Sequence, residues 1–193
     1  MAAFRSAYQK LGIASEEVNK PSDLKNPTHI ILPGVGSFEV AIDKLNSSGF
    51  VGPLRNLVIQ KKINILGVCV GFQMMGKSSE EMPSKKGLGW IDAKTVKMVN
   101  KDEGVKLNLP HMGWNSIIRK LECPLLDGIE SNDFYFLHSY NVKINGQDGV
   151  SSICNYDGEF TASASIGNIF GTQFHPEKSH SQGLRLLKNF ALT

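Results

Sequence analysis

The segment Gly67-Val-Cys69-Val-Gly71 is the part of this chain whose residue types most clearly suggest chemistry. An apolar, β-branched run from Ile63 to Val68 predicts a buried strand, and Phe72 to Met75 continue the chain as a helix. A sharp strand-to-helix turn with glycines on both sides of its tip is the build of a nucleophile elbow, in which the tip side chain is exposed. The start of the helix would direct its positive dipole end at the sulfur and favour the reactive thiolate. The alternative is that Cys69 is an unreactive, buried packing residue.

A second chemically capable group lies far downstream, at His175-Pro-Glu177. Proline disfavours the α region for the residue before it, so His175 should be extended, and side chains two apart in an extended segment face the same side. Glu177 can then orient one ring nitrogen while the other faces a nucleophile that needs a base. Two alternatives remain open: a surface histidine beside a solvated glutamate, and a metal site with His180, whose spacing matches no common zinc pattern.

The elements that must position these groups alternate between strand and helix. His29–Leu32 is a short apolar strand that ends in the turn Pro33–Gly36, and a helix with Ser37 as its N-cap follows. Short strands dominate from about residue 87 to 175, before a C-terminal helix. This order predicts an α/β fold in three layers: a mainly parallel central sheet with helices on both faces and an antiparallel extension.

Sites in such sheets gather beyond the carboxyl ends of the strands. The turn Pro33–Gly36, Cys69 and His175 each follow a predicted strand. The periodicities alone therefore predict that these three features share one pocket.

Length and composition exclude several classes of function. A chain of 193 residues predicts a single domain, residues 1–193, with a core that needs no metal or disulfide. A net charge of +3 is too small to indicate nucleic-acid binding. Three cysteines without framework spacing indicate a reducing cytosol, with Cys123 and Cys154 as inert packing residues. Without an apolar run of membrane-spanning length or a signal peptide, we expect a cytoplasmic protein that binds no membrane.

Six motifs, in order along nearly the whole chain, resemble those of the class I (triad) glutamine amidotransferases. They are Leu32-Pro-Gly-Val-Gly36-Ser-Phe38, the elbow around Cys69, Gly87-Leu-Gly-Trp90, Pro110-His-Met-Gly-Trp-Asn115, Tyr135-Phe-Leu-His-Ser-Tyr140 and Gly171-Thr-Gln-Phe-His-Pro-Glu177. The elbow and the last motif are shared by the whole class, which implies its flavodoxin-like fold. The first and fourth motifs are narrower and resemble the glutaminase subunit of imidazole glycerol phosphate synthase.

The resemblance implies hydrolysis of the side-chain amide of L-glutamine to glutamate and ammonia. Cys69 would attack the amide carbon, His175 would take and return the proton, and Glu177 would hold the imidazole in the right tautomer. It implies no metal and no cofactor.

The tetrahedral oxyanion needs hydrogen-bond donors, and the backbone N–H of Val70 is well placed for one of them. A second donor is expected from Pro33–Gly36, where glycines allow a peptide flip. Gln73 matches the family position whose amide contacts the substrate, although on the residues alone it could equally be a helix-surface residue. The expected substrate and oxyanion set is Gly34, Val35, Gly36, Val70, Gln73, Ser139 and Tyr140.

The resemblance also implies a partner, since this subunit passes its ammonia to a cyclase with a (β/α)₈ barrel in a heterodimer that serves histidine biosynthesis. His111, Met112, Trp114 and Asn115 carry the subunit-specific motif and should face that cyclase. On physical grounds alone, Met and Trp in this segment could equally be core residues.

Two departures from the family pattern matter. The usual subunit begins with a strand before its first helix, whereas Met1 falls almost at the start of that helix here. We therefore expect an N-terminally short domain with a gap in its sheet beside Ile30 and Ile65. Separately, Val70-Gly-Phe72, Leu137 and His175–His180 resemble a paralogous branch that feeds ammonia to a sugar-amidinating enzyme of surface-polysaccharide synthesis.

Three alternatives to the leading function follow. One is the same glutaminase chemistry serving sugar amidination. Another is a non-catalytic regulatory subunit that keeps the fold. A cysteine peptidase is the weakest, because the motif Pro110–Asn115 has no purpose there.

Overall fold

The computed structural model describes residues 2–99 and 107–193. In these residues five α-helices and ten strands follow one another along the chain. The helices are α1 (Ala2–Lys10), α2 (Phe38–Ser47), α3 (Val51–Arg55, continued by a π-helical turn, Asn56–Gln60), α4 (Val70–Met74) and α5 (His180–Ala191). The strands are β1 (His29–Gly34), β2 (Asn64–Cys69), β3 (Ser78–Ser79), β4 (Ala93–Lys97), β5 (His111–Arg119), β6 (Asp133–His138), β7 (Tyr140–Ile144), β8 (Val150–Asn155), β9 (Glu159–Ile166) and β10 (Ile169–Thr172).

Seven of these described strands form the central sheet, in the order β1-β2-β10-β9-β8-β5-β6. The pairs β1/β2 and β2/β10 are parallel, and the four further pairs are antiparallel. Taken through these pairings, β1, β2, β10, β8 and β6 run in one direction, and only β9 and β5 run against it. The predicted α/β class with a mainly parallel sheet and an antiparallel extension is confirmed.

Helices cover both faces of the parallel strands. Gly171 of β10 faces α4, since a Cβ built there would meet the ring of Phe72. The next side chain back along the strand, Phe170, faces the other way and makes an edge contact with Phe190 of α5, with ring centroids 5.9 Å apart. Because successive strand residues point to opposite faces, α4 and α5 lie on opposite sides of β10. The three-layer arrangement follows.

A smaller sheet, β3-β4-β7, stands beside the first. The chain leaves the central sheet at His138, the last residue of β6, and joins the smaller sheet at Tyr140, the first residue of β7. Ser139 is the corner between the two sheets, and this corner forms one wall of the site described below.

The gap that the sequence predicted beside Ile30 and Ile65 is not found. The two residues are direct partners in the parallel β1/β2 ladder, which continues in register from His29/Asn64 to Gly34/Cys69. The prediction was wrong because β1 lies at the edge of the sheet, so nothing has to be inserted between it and β2.

Across the described residues, no helix combines the length and the apolar character that crossing a membrane requires.

Candidate active site

Cys69 lies at the tip of a strained turn between β2 and α4. Its φ of 54° and ψ of −113° are unusual for a residue with a side chain. The predicted elbow is therefore present, but α4 is only five residues long and the cysteine is 3% exposed rather than projecting into solvent. It is reached through a cavity, as shown below.

The glycines on both sides of Cys69 are required by close packing. A Cβ at Gly71 would lie 1.8 Å from the carbonyl oxygen of Leu32, and one at Gly67 would lie 2.8 Å from the backbone Cα of Phe72. Any side chain at Gly71 would push the elbow away from β1, so the sequence spacing around Cys69 is a requirement of the turn itself.

His175 follows β10 and is held against β6. Its backbone is extended, with φ −100° and ψ 95°, as the following proline predicted. Its N–H donates to the carbonyl of Tyr135 at 2.9 Å, and its own carbonyl accepts from the Ser179 hydroxyl at 2.6 Å. The same hydroxyl oxygen accepts the N–H of Tyr135 at 3.0 Å. Buried Ser179 therefore fixes this loop to the sheet, a role that the sequence did not reveal.

Glu177 orients the imidazole of His175. The Nδ1–Oε1 distance is 2.8 Å, and the two side chains are 2% and 7% exposed. Because a carboxylate only accepts, Nδ1 carries a proton and Nε2 is left for the hydrogen bond to Cys69. Burial lowers the pKa of His175, but its bonds to Cys69 and Glu177 outweigh burial and raise that pKa to about 9. The structure therefore brings the three predicted catalytic side chains together at one buried site.

The sulfur of Cys69 has two further polar neighbours. The carbonyl oxygen of Leu137 lies 3.8 Å from Sγ and can accept from the thiol. On the other side, Nε2 of Gln173 lies 3.7 Å from Sγ and donates to it. One neighbour thus favours the thiol and the other favours the thiolate.

A cavity of about 340 Å³ opens onto Cys69 and His175. Its other lining residues are Val35, Gly36, Val70, Gln73, Glu81, Pro110, Leu137, His138, Ser139, Tyr140 and Lys178. All of the predicted substrate and oxyanion residues except Gly34 line it. Gly34 lies beside Cys69 in the β1/β2 ladder, where a Cβ would come within 2.4 Å of the Gly71 nitrogen.

Gln73 is buried, so it is not the helix-surface residue that its position alone allowed. Its Nε2 donates to the carbonyl of Tyr140 at 2.9 Å and to Oε1 of Gln173 at 3.3 Å. Both N–H groups of this amide are therefore taken up inside the protein, and Oε1 is the part left for a substrate.

Four polar residues that line or adjoin the cavity were missed by the sequence reasoning: Glu81, His138, Gln173 and Lys178. His138 and Gln173 lie inside two of the six motifs, and Lys178 directly follows one of them. Their place in a motif could have identified them as site residues. Glu81 had none, because it approaches from the segment after α4. Its Oε2 accepts the N–H of Phe38 at 2.8 Å and so braces the turn that follows β1.

His111 is not at the surface, and its prediction as a partner-facing residue was wrong. It is 3% exposed, stacks on Tyr156 with ring centroids 4.0 Å apart, and also stacks on Phe136. Its Nδ1 lies 3.1 Å from Nε2 of His138, whose Nδ1 lies 2.9 Å from the carbonyl oxygen of Tyr140. Alternation along β5 explains the error, because His111 and Met112 must face opposite sides.

Met112 and Trp114, on the other face of β5, are 64% and 46% exposed. Trp114 stacks on His180, with ring planes 2° apart and centroids at 5.0 Å. Asn115 is half-buried, and its Nδ2 donates to the carbonyl of Asn155 at 3.1 Å. Of the four predicted interface residues, Met112 and Trp114 are thus free to meet a partner.

The alternative of a metal site gains no support. Within residues 2–99 and 107–193, no group of three or more His, Cys, Asp or Glu side chains is arranged to hold an ion. His180 stacks on Trp114 rather than joining His175 and Glu177.

The sequence matches the family Glutamine amidotransferase class-I over residues 5–193. It is 44% identical over 192 residues to "Imidazole glycerol phosphate synthase subunit HisH" of Leptospira interrogans, covering 99% of this chain and 94% of that protein. It is 40% identical over 191 residues to "Imidazole glycerol phosphate synthase subunit HisH 2" of Pseudomonas aeruginosa, covering 98% and 93%.

Solved structures share the fold at low identity. "Crystal structure of glutamine amidotransferase" superposes with a TM-score of 0.75 at 19% identity, covering 99% of this chain and 92% of that one. "Structure of PurLQS from Thermotoga maritima" superposes with a TM-score of 0.69 at 16% identity, covering 99% and 91%.

Proposed function

The chain belongs to the class I glutamine amidotransferases, and on that premise we propose that it is the glutaminase subunit of an imidazole glycerol phosphate synthase. The relatives at 40–44% identity over nearly the whole chain support this assignment. The observation that carries the chemistry is the buried row Cys69–His175–Glu177 at the floor of a cavity.

The reaction begins with transfer of the Cys69 proton to Nε2 of His175. The thiolate attacks the side-chain amide carbon of L-glutamine, and imidazolium returns the proton to the departing ammonia. Water, deprotonated by the same imidazole, then releases glutamate from the thioester. Glu177 keeps Nδ1 protonated throughout, so that Nε2 always faces the reacting atoms.

The oxyanion of each tetrahedral intermediate needs two donors. The N–H of Val70, directly after the nucleophile, is the first. The second comes from the turn Pro33–Gly36, after a peptide flip that Gly34 and Gly36 permit. Two observations support this role: Val35 and Gly36 line the cavity, and the Val35 side chain is 73% exposed and so does not hold the turn in place.

Polar residues that line the cavity suit the charged end of an amino acid. Glu81 supplies a carboxylate for the α-ammonium group of glutamine, and the corner Ser139–Tyr140 supplies backbone and hydroxyl groups for the α-carboxylate. Oε1 of Gln73 remains for the substrate amide.

The partner is a cyclase that receives the ammonia, and we place its docking face beside the mouth of the cavity. Exposed Met112 pairs across the sheet with Leu137, which lines the cavity, and exposed Trp114 stacks on His180. Lys178 lines the cavity and places its Nζ 5.5 Å from the ring centroid of Tyr135. Aromatic residues and methionine are typical of interface centres, and this face adjoins the loop that carries His175.

The test is ammonia release from L-glutamine by the chain alone and by the chain with the (β/α)₈ cyclase and its nucleotide ligand. We expect the lone chain to be slower by about two to three orders of magnitude, the cost of one missing oxyanion donor. Trp114→Ala should reduce the stimulation, whereas Leu121→Ala, which alters another exposed apolar residue, should not. Full activity of the lone chain would contradict the partner dependence, and stimulation only by a sugar-amidinating enzyme would favour that alternative acceptor.

A further inference from the structure

The polar groups behind the nucleophile form one continuous hydrogen-bonded chain. It runs from His138 to the carbonyl of Tyr140, then through the amides of Gln73 and Gln173, and ends at Sγ of Cys69. Gln173 is fully buried and Gln73 is 3% exposed, so water cannot substitute for the partners that this chain supplies.

The direction of every bond in this chain is determined by its neighbours. A carbonyl only accepts, so the Tyr140 oxygen must receive Nε2–H of Gln73 and Nδ1–H of His138. The second N–H of Gln73 then meets Oε1 of Gln173, which leaves Nε2 of Gln173 to face the sulfur of Cys69. If the Gln173 amide flipped, two NH₂ groups would face each other and a carbonyl oxygen would face the sulfur.

We propose that Gln173 is a further catalytic residue, which donates a hydrogen bond to the Cys69 thiolate, and that Gln73 is the positioning residue that prevents its amide from flipping. The proposal rests on the function proposed above, since it needs Cys69 as the nucleophile. It adds to Gln73 a role besides substrate contact.

The hydrogen bond from Gln173 favours the ionised form of Cys69. Hydrogen bonding to the charged form of a group favours that form, and bonds to charged groups are the stronger ones. The Leu137 carbonyl opposes ionisation from the other side, 3.8 Å from Sγ. Gln173 offsets this carbonyl, so that the thiolate before attack, and the thiolate that leaves when water cleaves the thioester, do not depend on the His175 imidazolium alone.

The test measures ionisation of Cys69 without using glutamine. The full chain is treated with iodoacetamide over a range of pH, and the labelled cysteine is identified by mass spectrometry. The other titratable groups of the site are His175 with Glu177, and Glu81, His138, Tyr140 and Lys178 around the cavity. All of these titratable groups remain in every variant. A shift in the pH profile of Cys69 alkylation therefore reports the loss of the Gln173 or Gln73 amide.

Gln173→Met, which keeps the length of the side chain and removes its donor, should slow alkylation of Cys69 about tenfold to a hundredfold near pH 7. The midpoint of its pH profile should move upward by about one to two units. Gln60→Met, at an exposed position, should leave the profile unchanged. In the glutaminase assay Gln173→Met should lower kcat and leave KM nearly unchanged, because it touches the nucleophile.

Gln73→Met should shift the profile in the same direction by less, since Gln173 remains but is free to flip. The double variant Gln73→Met/Gln173→Met should match Gln173→Met alone, because the effect of Gln73 on the thiol runs through Gln173. If Gln173→Met does not fold, the shift expected for Gln73→Met decides the matter. An unshifted profile in the folded variants, or additive shifts in the double variant, would overturn the proposal. Labelling of Cys123 or Cys154 in place of Cys69 would instead overturn the proposed function.

Discussion

His175 and His138 both line the cavity, and His111 lies behind His138, but the pKa values of His175 and of the pair His111/His138 are shifted in opposite directions. His175 is 2% exposed and has a pKa raised to about 9, whereas His111 and His138, at 3% and 6%, have pKa values lowered to about 4 and about 3. Burial disfavours the imidazolium in both groups. Interactions with Cys69 and Glu177 overcome it for His175, whereas among the described residues the ring nitrogens of the pair bond to one another and to the Tyr140 carbonyl.

The neighbouring groups, rather than the depth of burial, decide whether a buried histidine is charged in this protein. A proton at Nδ1 of His138 requires that its Nε2 accept, so His111 must donate from Nδ1, and both rings stay neutral. His175, on the loop that follows β10, is held ready to be charged. In the proposed reaction the neutral pair His111 and His138 holds the Tyr140 carbonyl at the wall of the cavity, whereas His175 moves protons.

Glu177→Gln should have the largest effect on activity. It would remove the carboxylate that helps to raise the pKa of His175 above the pKa values of His111 and His138. The amide can still accept from His175 but carries no charge, so the pKa of His175 should fall towards the values of the pair. Glutaminase kcat should fall by about two orders of magnitude or more, as general acid–base catalysis is lost.

The matched control is Glu122→Gln, at an exposed position away from the cavity, which should keep the activity. Steady-state rates of ammonia release in the complex measure kcat. The histidine resonances in NMR titrations measure the pKa of His175. Undiminished turnover in Glu177→Gln would show that the carboxylate does not distinguish His175 from the pair.

The dependence of stability on pH should show the same contrast, with a smaller effect. The raised pKa of His175 contributes stability that is complete below about pH 6.5 and is lost as the pH rises towards 9. The lowered pKa values of His111 and His138 contribute stability that is complete above about pH 6.5 and is lost as the pH falls towards 4 and 3. Urea midpoints should therefore be highest near pH 6.5.

His138→Asn keeps a donor for the Tyr140 carbonyl but does not titrate. It should flatten the acid side of the stability profile and leave the alkaline side as it was. If the acid side kept its slope in this variant, the pair would not be the source of that loss.

Much of the site could be predicted because local steric rules determine it. The glycines around Cys69 and the proline after His175 constrain their own backbones, and the i, i+2 spacing brings Glu177 to the imidazole. The α/β class could be predicted for a similar reason. The hydrophobic periodicity of each segment depends only on its own residues, and it distinguishes a strand from a helix.

The features that could not be predicted depend on long-range pairing. The burial of His111 follows from the register of β5 against β6, where it lies opposite His138. Gln173 meets Gln73 across 100 positions of sequence, and no spacing rule links them. The expected gap beside Ile30 failed for the same reason, because the place of a strand in a sheet is decided by its partners.

The most direct test of the account is to treat the chain, in complex with its cyclase, with an electrophilic glutamine analogue and to map the modified residue. We expect a single adduct on Cys69, protection by L-glutamine, and no ammonia release from Cys69→Ala. The other two cysteines are buried and do not line the cavity, so they should remain unmodified. An adduct on Cys123 or Cys154, or undiminished ammonia release from Cys69→Ala, would contradict the central claim that Cys69 is the glutaminase nucleophile.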